Sequence, residues 1–140
     1  MTRRLEITEH PDQSARTEIS DLLLAYNVAL LGNPDIRPLA ILLHSDDGSK
    51  VIGGLWGRTS FKWLFVELLF IPDALRSQGL GTRMLEGAEA EAKRRGCQGA
   101  WLDTFSAAAA RFYEKQGYKP FGIIDDHPPS VVRHFLSKLL

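Results

Sequence analysis

The sequence predicts an α/β fold in which helices cover a mixed β-sheet. Short apolar runs typical of strands alternate with stretches whose apolar residues recur every three or four positions, and one buried-strand pattern leads directly into the strongest helix. The 140 residues show no internal repeat, low-complexity linker or shift in composition. We therefore expect one domain spanning residues 1–140.

The N-terminal segment predicts one strand followed by one helix. Polar and apolar residues alternate from Arg4 to Thr8, which is typical of a strand. Helical spacing follows, in a hydrophobic stripe that we expect in the core and that consists of Ile19, Leu22, Leu23, Tyr26 and Leu30. The residues Gly32, Asn33 and Pro34 end this pattern.

A hairpin is predicted next. The apolar runs Leu39–His44 and Val51–Trp56 are joined by turn-forming residues at positions 46–49. The glycines at positions 53 and 54 indicate a β-bulge in the second run.

A central strand and the strongest helix follow the hairpin. The stretch Trp63–Ile71 is almost continuously apolar, which predicts a buried strand, and Glu67 is its one ionisable residue. The stretch Gly79–Arg95 predicts an amphipathic helix that Gly96 is placed to cap.

The last third of the chain predicts a strand, a helix and two more strands. Ala100–Phe105 has the pattern of a strand, and Ser106 is a suitable N-cap for a helix over Ala107–Gln116. The final strands cover Tyr118–Ile124 and Val131–Leu136 and flank the loop DDHPPS.

Composition and charge exclude several classes of function. The 17 basic and 17 acidic side chains cancel, so no overall field would gather nucleic acid or anionic lipid. The single cysteine, Cys97, excludes an internal disulfide and is expected to be buried, and four histidines without ligand spacing predict no metal site. A polar amino terminus and the lack of a long apolar run predict a cytoplasmic protein that does not enter membranes.

The stretch LRSQGLGTRML, at the start of the strongest helix, has the features of an anion site. The first amides of a helix lack intrahelical acceptors and lie at the positive end of its dipole. Without Cβ atoms at Gly79 and Gly81, the amides of residues 78–82 can approach an anion, while Arg76 or Arg83 adds charge. The spacing is neither that of a dinucleotide fingerprint nor that of a P-loop. The alternative is a tight strand-to-helix turn that binds nothing.

The segment RSQGLG resembles the R/Q-x-x-G-x-G/A signature of the GNAT superfamily, the acyl-coenzyme A dependent N-acyltransferases. ELLFIPDALRSQGLGTRML is similar to that family's fourth strand and following helix, and RFYEKQGY to the aromatic segment near the end of its last main helix. The resemblance covers about residues 4–139. It implies a GNAT-like sheet of about six to seven mostly antiparallel strands, splayed between the fourth and fifth.

The same resemblance implies an N-acetyltransferase that passes an acetyl group from acetyl-coenzyme A directly to a primary amine of a small molecule or peptide. The pyrophosphate of the coenzyme would lie on the glycine turn and its pantetheine along the end of the central strand. The implied binding residues are Leu69, Phe70, Ile71, Arg76, Ser77, Gln78, Gly79, Leu80, Gly81, Thr82, Ser106, Ala109 and Phe112.

Two residues are candidates for moving protons. A base is needed, because an amine with a pKa of ~10 is mostly protonated at neutral pH. Glu67 is the candidate, since it is the one ionisable residue in the apolar central strand. By resemblance to the family's F-Y pair, Tyr113 is the candidate acid for the departing thiolate, and a backbone N–H near Phe70 or Ile71 would be the oxyanion donor. The alternatives are a glutamate that faces solvent or an arginine, and a core tyrosine with a satisfied hydroxyl.

The sequence gives fewer indications of the site that binds the acceptor amine than of the coenzyme site. Four carboxylates either form a pocket for a cationic amine or lie on the surface: Glu67, Asp103, Asp125 and Asp126. Three aromatic residues either line that pocket or belong to the core: Tyr26, Trp56 and Trp63. His127 lies on a loop able to close over substrate. Ser106 stands where many family members carry asparagine. The side chains of Ala107–Ala110 carry no polar group that could contact pantetheine.

Two other classes of function fit the same residues: a non-catalytic acyl-coenzyme A sensor and a protein-interaction domain. By analogy with relatives that pair through late strands, Val131–Leu136 is a candidate for joining two copies into a homodimer.

Overall fold

The computed structural model describes residues 2–140 and divides into two compact units, residues 2–34 and Asp35–Leu140. The first unit contains helix α1 (Gln13–Leu31), which ends at Gly32 with φ at 86°. The strand predicted over Arg4–Thr8 is wrong: these residues are exposed and irregular, since their unit offers no second strand to pair with their backbone. The predicted helix is confirmed, but its apolar stripe is exposed, with Leu22 73% and Tyr26 66% accessible. Placing that stripe in a core was wrong, because the unit contains no further element to bury it.

The second unit contains six strands, two helices and one short 3-10 turn at Asp73–Leu75. In chain order they are β1 (Arg37–His44), β2 (Val51–Ser60), β3 (Trp63–Phe70), α2 (Leu80–Arg94), β4 (Gly99–Thr104), α3 (Ala107–Lys115), β5 (Lys119–Ile124) and β6 (Arg133–Leu139). The strands form one sheet in the order β1-β2-β3-β4-β6-β5, in which the pair β3–β4 is parallel and every other pair is antiparallel. The predicted mixed, mostly antiparallel α/β fold is confirmed.

The core of this unit includes one side of helix α2 and side chains from several strands. From the helix come Met84, Leu85, Ala88 and Ala92, and from the strands Leu39, Leu55, Leu64, Leu102 and Leu136. The predicted end of the helix is confirmed, since Gly96 has φ at 83° and its N–H donates to the carbonyl of Lys93. Cys97 is buried as expected.

Strand β2 extends four residues beyond the predicted run, through a close approach to its neighbour at Gly57. A Cβ atom at Gly57 would lie 2.2 Å from the carbonyl oxygen of Phe65 in β3. The register shift between β1 and β2 leaves Ile52 as the extra residue, one position before the glycines that indicated a bulge.

Replacing Gly57 with alanine is therefore expected to lower the free energy of unfolding by about 3 kcal/mol, the upper end of overpacking costs, because the obstacle is backbone. Urea denaturation of Gly57→Ala measures it. The matched control is Gly122→Ala, where a Cβ would meet nothing within 4 Å and the change should stay within about 0.5 kcal/mol. Equal stabilities of the two variants would contradict the close approach.

Strand β6 lies inside the sheet, between β4 and β5. Both of its edges already carry backbone hydrogen bonds, so the suggestion that Val131–Leu136 joins two copies by strand pairing is wrong. The edges of this sheet are β1 and β5.

Candidate functional site

The parallel strands β3 and β4 part near their carboxyl ends. Their pairing runs from Trp63 opposite Gly99 to Val66 opposite Leu102, although β3 continues to Phe70 and β4 to Thr104. The splay predicted between the fourth and fifth strands is confirmed, because without the strand wrongly predicted over Arg4–Thr8 these strands are β3 and β4.

A β-bulge at Glu67 marks the place where the strands separate. Leu68 pairs with Trp56 and Val66 with Gly57, so Glu67 is the extra residue of β3. Bulges bend a strand and increase its local twist, and this one begins where the pairing with β4 ends. Beyond Val66, the edge of β3 that faced β4 has backbone groups without a strand partner.

A pocket of about 980 Å³ opens at this gap. Its walls are the end of β3, the turn before α2, the first turn of α2, the end of β4 and one side of α3. The lining residues are Leu69, Phe70, Ile71, Leu75, Arg76, Ser77, Gly79, Leu80, Gly81, Thr82, Thr104, Ser106, Ala108, Ala109, Phe112 and Tyr113.

The first turn of α2 presents free amides to the pocket. Its N-cap is Gly79, which has no side chain to accept a hydrogen bond, and the turn contains no acidic residue. The N–H of Arg83 is the first to be bonded within the helix, to the carbonyl of Gly79 at 3.1 Å. In the part of the chain that the structure describes, the amides of residues 80–82 have no acceptor, as in helix N-termini that bind anions.

The two positions of the turn require glycine for different structural reasons. Gly79 has φ at 80° and open space where a Cβ would stand, so its backbone conformation requires glycine. At Gly81 a Cβ would lie 3.0 Å from the ring of Phe112 and 3.4 Å from Ile71, so close packing favours glycine there. For both glycines the sequence favoured the approach of a ligand and left a tight turn as the alternative.

The wall formed by α3 begins at a capped N-terminus. The Oγ atom of Ser106 accepts a hydrogen bond from the N–H of Ala109 at 3.1 Å, which confirms the predicted N-cap. The Oγ1 atom of Thr104 accepts from the N–H of Ser106, also at 3.1 Å. Three lining residues were absent from the sequence prediction, namely Leu75, Thr104 and Ala108. Their placement depends on the parting of the strands and the direction of α3, which no short motif encodes.

Tyr113 is the buried ionisable group of the pocket. Burial and, less strongly, the charge of Asp103 raise the pKa of its hydroxyl above the ordinary value. This hydroxyl has no hydrogen-bond partner among residues 2–140, and no fully buried side-chain oxygen of those residues is left unpaired. The hydroxyl therefore reaches accessible space. The neighbouring Tyr118 differs, because its hydroxyl donates to Glu89 at 2.9 Å.

Three predicted site residues either lie outside the pocket lining or are already bonded to other groups of the protein. Arg76 lines the pocket, but its Nε donates to the carbonyl of Ile71 at 2.8 Å and its Nη1 pairs with Asp73 at 2.6 Å. Gln78 does not line the pocket, and its side chain donates to the carbonyl of Ala74 at 3.3 Å. Glu67 is exposed outside the pocket lining and has no ion-pair partner among the described residues.

The other proposed acceptor residues do not line the pocket. Asp103 accepts from the guanidinium of Arg133 at 2.9 and 2.7 Å, and Asp126 accepts from the N–H of Ser130 at 3.2 Å. His127 packs edge-on against Phe105 with ring centroids 5.7 Å apart. Trp63 is half-buried, whereas Trp56 and Tyr26 are exposed, the latter in the N-terminal unit.

Among residues 2–140, no three acidic, histidine or cysteine side chains are arranged to hold a metal ion. Within the same range, no helix is long and apolar enough to cross a membrane.

Comparison with known proteins finds similar acetyltransferases. A sequence model of the acetyltransferase (GNAT) family matches residues 4–118. The chain is 45% identical over 116 residues to the acetyltransferase Atu2258 of Agrobacterium fabrum, covering 83% of this chain and 84% of that protein. It is 36% identical over 109 residues to blasticidin-S acetyltransferase of Streptomyces morookaense, covering 76% and 80%. A crystal structure from Agrobacterium tumefaciens superimposes with a TM-score of 0.93 at 38% identity, over 99% of this chain and 100% of that one.

Proposed function

Because this chain belongs to the acetyltransferase (GNAT) family, we propose that it transfers an acetyl group from acetyl-coenzyme A to a primary amine of a small molecule or peptide. One observation carries the proposal: the uncapped N-terminus of α2 and the unbonded hydroxyl of Tyr113 open onto the same pocket of about 980 Å³.

The described residues fit the coenzyme in three respects. The amides of residues 80–82 would bind the pyrophosphate at the positive end of the α2 dipole. The edge of β3 that faced β4 has no strand partner beyond Val66, and there Leu69, Phe70 and the following Ile71 would hold the pantetheine amides as an added strand. The apolar lining from Phe112 and Ala109 would contact its aliphatic parts. When bound, acetyl-coenzyme A supplies an acetyl group activated as a thioester.

Three groups around the gap would transfer protons or stabilise charge during the reaction. The hydroxyl of Tyr113, which lies in the pocket lining and is protonated at neutral pH, would donate a proton to the departing sulfur. A backbone N–H near Phe70 or Ile71 would stabilise negative charge on the carbonyl oxygen. Glu67 would accept the proton of the acceptor amine through water, because it is exposed beside the gap and outside the pocket lining.

The acceptor is proposed to be a small primary amine, and blasticidin S is the first compound to test, given the relative that acts on it. The experiment mixes purified protein, acetyl-coenzyme A and each amine of a panel that also contains polyamines and short peptides. Release of free thiol that depends on both the amine and the enzyme, with an acetylated product in the mass spectrum, is expected. Binding of acetyl-coenzyme A without amine-dependent thiol release across the panel would favour the sensor alternative.

Replacing Glu67 with glutamine is expected to lower kcat/KM about tenfold at pH 7. This is smaller than the 10²–10⁴-fold effect typical of a general base, because water can take over at an exposed site. The loss should shrink as pH rises towards the amine pKa, where the acceptor is already deprotonated. Glu86→Gln, an exposed glutamate of α2, is the matched control. Identical pH profiles of Glu67→Gln and the control would remove Glu67 from the mechanism.

A further inference from the structure

Gln116, the residue after α3, connects the two helices that line the pocket. Its Nε2 donates to the Oγ1 atom of Thr82 at 3.1 Å. Thr82 lies in the first turn of α2 and lines the pocket, as do Phe112 and Tyr113 in the last turn of α3. A single side-chain hydrogen bond therefore joins the proposed anion site to the helix that carries the proposed acid.

The backbone of Gln116 is held from the sheet. The Nζ atom of Lys138 in β6 donates to the carbonyl of Gln116 at 2.9 Å and to Oε1 of Glu89 at 2.8 Å. Glu89 is buried in α2, about two turns beyond Thr82, and also accepts from the hydroxyl of Tyr118 at 2.9 Å. The main chain of Gln116 is therefore held by Lys138, independently of the bond between its side chain and Thr82.

We propose that Gln116 is a positioning residue for the donor substrate, a role that rests on the proposed function. Its side chain holds Thr82, and with it the free amides of the first turn of α2, at a fixed separation from α3. A site held in its binding geometry needs less ordering when the ligand arrives, so loss of the bond weakens binding. Gln116 itself lies outside the pocket lining and touches no reacting atom.

The network allows a selective substitution. Lys138 bonds the main-chain carbonyl of Gln116, which every side-chain replacement retains. Gln116→Leu therefore removes the bond to Thr82 and leaves the bonds among Lys138, Glu89 and Tyr118 in place. Thr82→Val removes the other partner of the same bond, so it provides a background in which Gln116→Leu has no bond left to remove. Gln98→Leu, at an exposed glutamine after α2, is the matched control.

Titration calorimetry of the full chain with acetyl-coenzyme A tests the proposal. Gln116→Leu is expected to raise Kd and the KM for acetyl-coenzyme A about fivefold, the effect of one lost hydrogen bond, with the KM for the amine unchanged. In the Thr82→Val background, Gln116→Leu should change Kd by less than about twofold, and Gln98→Leu should match the wild type.

Three results would overturn the inference: an unchanged Kd for Gln116→Leu, a further loss of affinity from Gln116→Leu in the Thr82→Val background, or an equal rise in the KM for the amine, which would mark a general structural role. A folded wild-type protein that binds no acetyl-coenzyme A would refute the proposed function itself, and the two failures are thus distinguishable.

Discussion

Phenylalanine in place of Tyr113 is expected to lower kcat by about 100-fold or more, with the Kd for acetyl-coenzyme A unchanged within about twofold. A positioned general acid typically contributes 10²–10⁴-fold, and the substitution removes only the hydroxyl. That hydroxyl has no protein partner among the described residues, so its loss should leave the fold intact. Thiol release under saturating amine measures kcat, and calorimetry measures Kd.

The matched control is Tyr26→Phe, an exposed tyrosine of α1, which should match the wild type in both measurements. Unchanged kcat in Tyr113→Phe would refute the acid role and favour a core tyrosine. The pH profile provides an independent check. Because burial and Asp103 raise the pKa of Tyr113, kcat should not fall as pH passes the ordinary tyrosine value near 10. A decline beginning below that pH would assign the acid step to another group.

Tryptophan at Gly79 is expected to weaken acetyl-coenzyme A binding by more than about 100-fold, equivalent to roughly 3 kcal/mol. A Cβ at this position meets nothing within 4 Å, so the new side chain is not blocked where it leaves the backbone. It would nonetheless stand beside the free amides of residues 80–82 and exclude an anion from them. Titration calorimetry of Gly79→Trp against the wild type measures the loss.

The control for Gly79→Trp is Gly48→Trp in the turn between β1 and β2. Gly48 has φ at 74°, close to the 80° of Gly79, and a Cβ there also meets open space. Both variants therefore carry a similar backbone strain of about 1–2 kcal/mol, and only one blocks the pocket. Equal affinities for acetyl-coenzyme A in the two variants would mean that the turn is structural and binds no phosphate.

Local periodicity predicted most of the second unit. The apolar run that became β3, the amphipathic stripe of α2 and the Ser106 cap are each encoded by neighbouring residues, and each was confirmed. The end of β2 was missed, since its last residues continue through Gly57, a glycine needed for close contact with β3. The strand over Arg4–Thr8 was wrong because a strand requires a partner, which a period of two cannot reveal.

The parts of the candidate site that depend on local backbone conformation could be predicted from the sequence. The turn at Gly79 and the free amides that follow can be recognised from two glycines before an amphipathic helix. The contribution of Thr104 and Ala108 could not be predicted, because it arises from the separation of β3 and β4 beyond Val66. The bond between Gln116 and Thr82 joins positions 34 residues apart and has no local pattern.

The central claim is that acetyl-coenzyme A lies in the gap between β3 and β4, with its pyrophosphate on the first turn of α2. A crystal structure of the complex at saturating acetyl-coenzyme A tests it most directly. We expect pyrophosphate oxygens within hydrogen-bond distance of the amides of residues 80–82 and the thioester beside Tyr113. Coenzyme bound elsewhere, or a fully ordered protein without coenzyme at saturation, would contradict the claim.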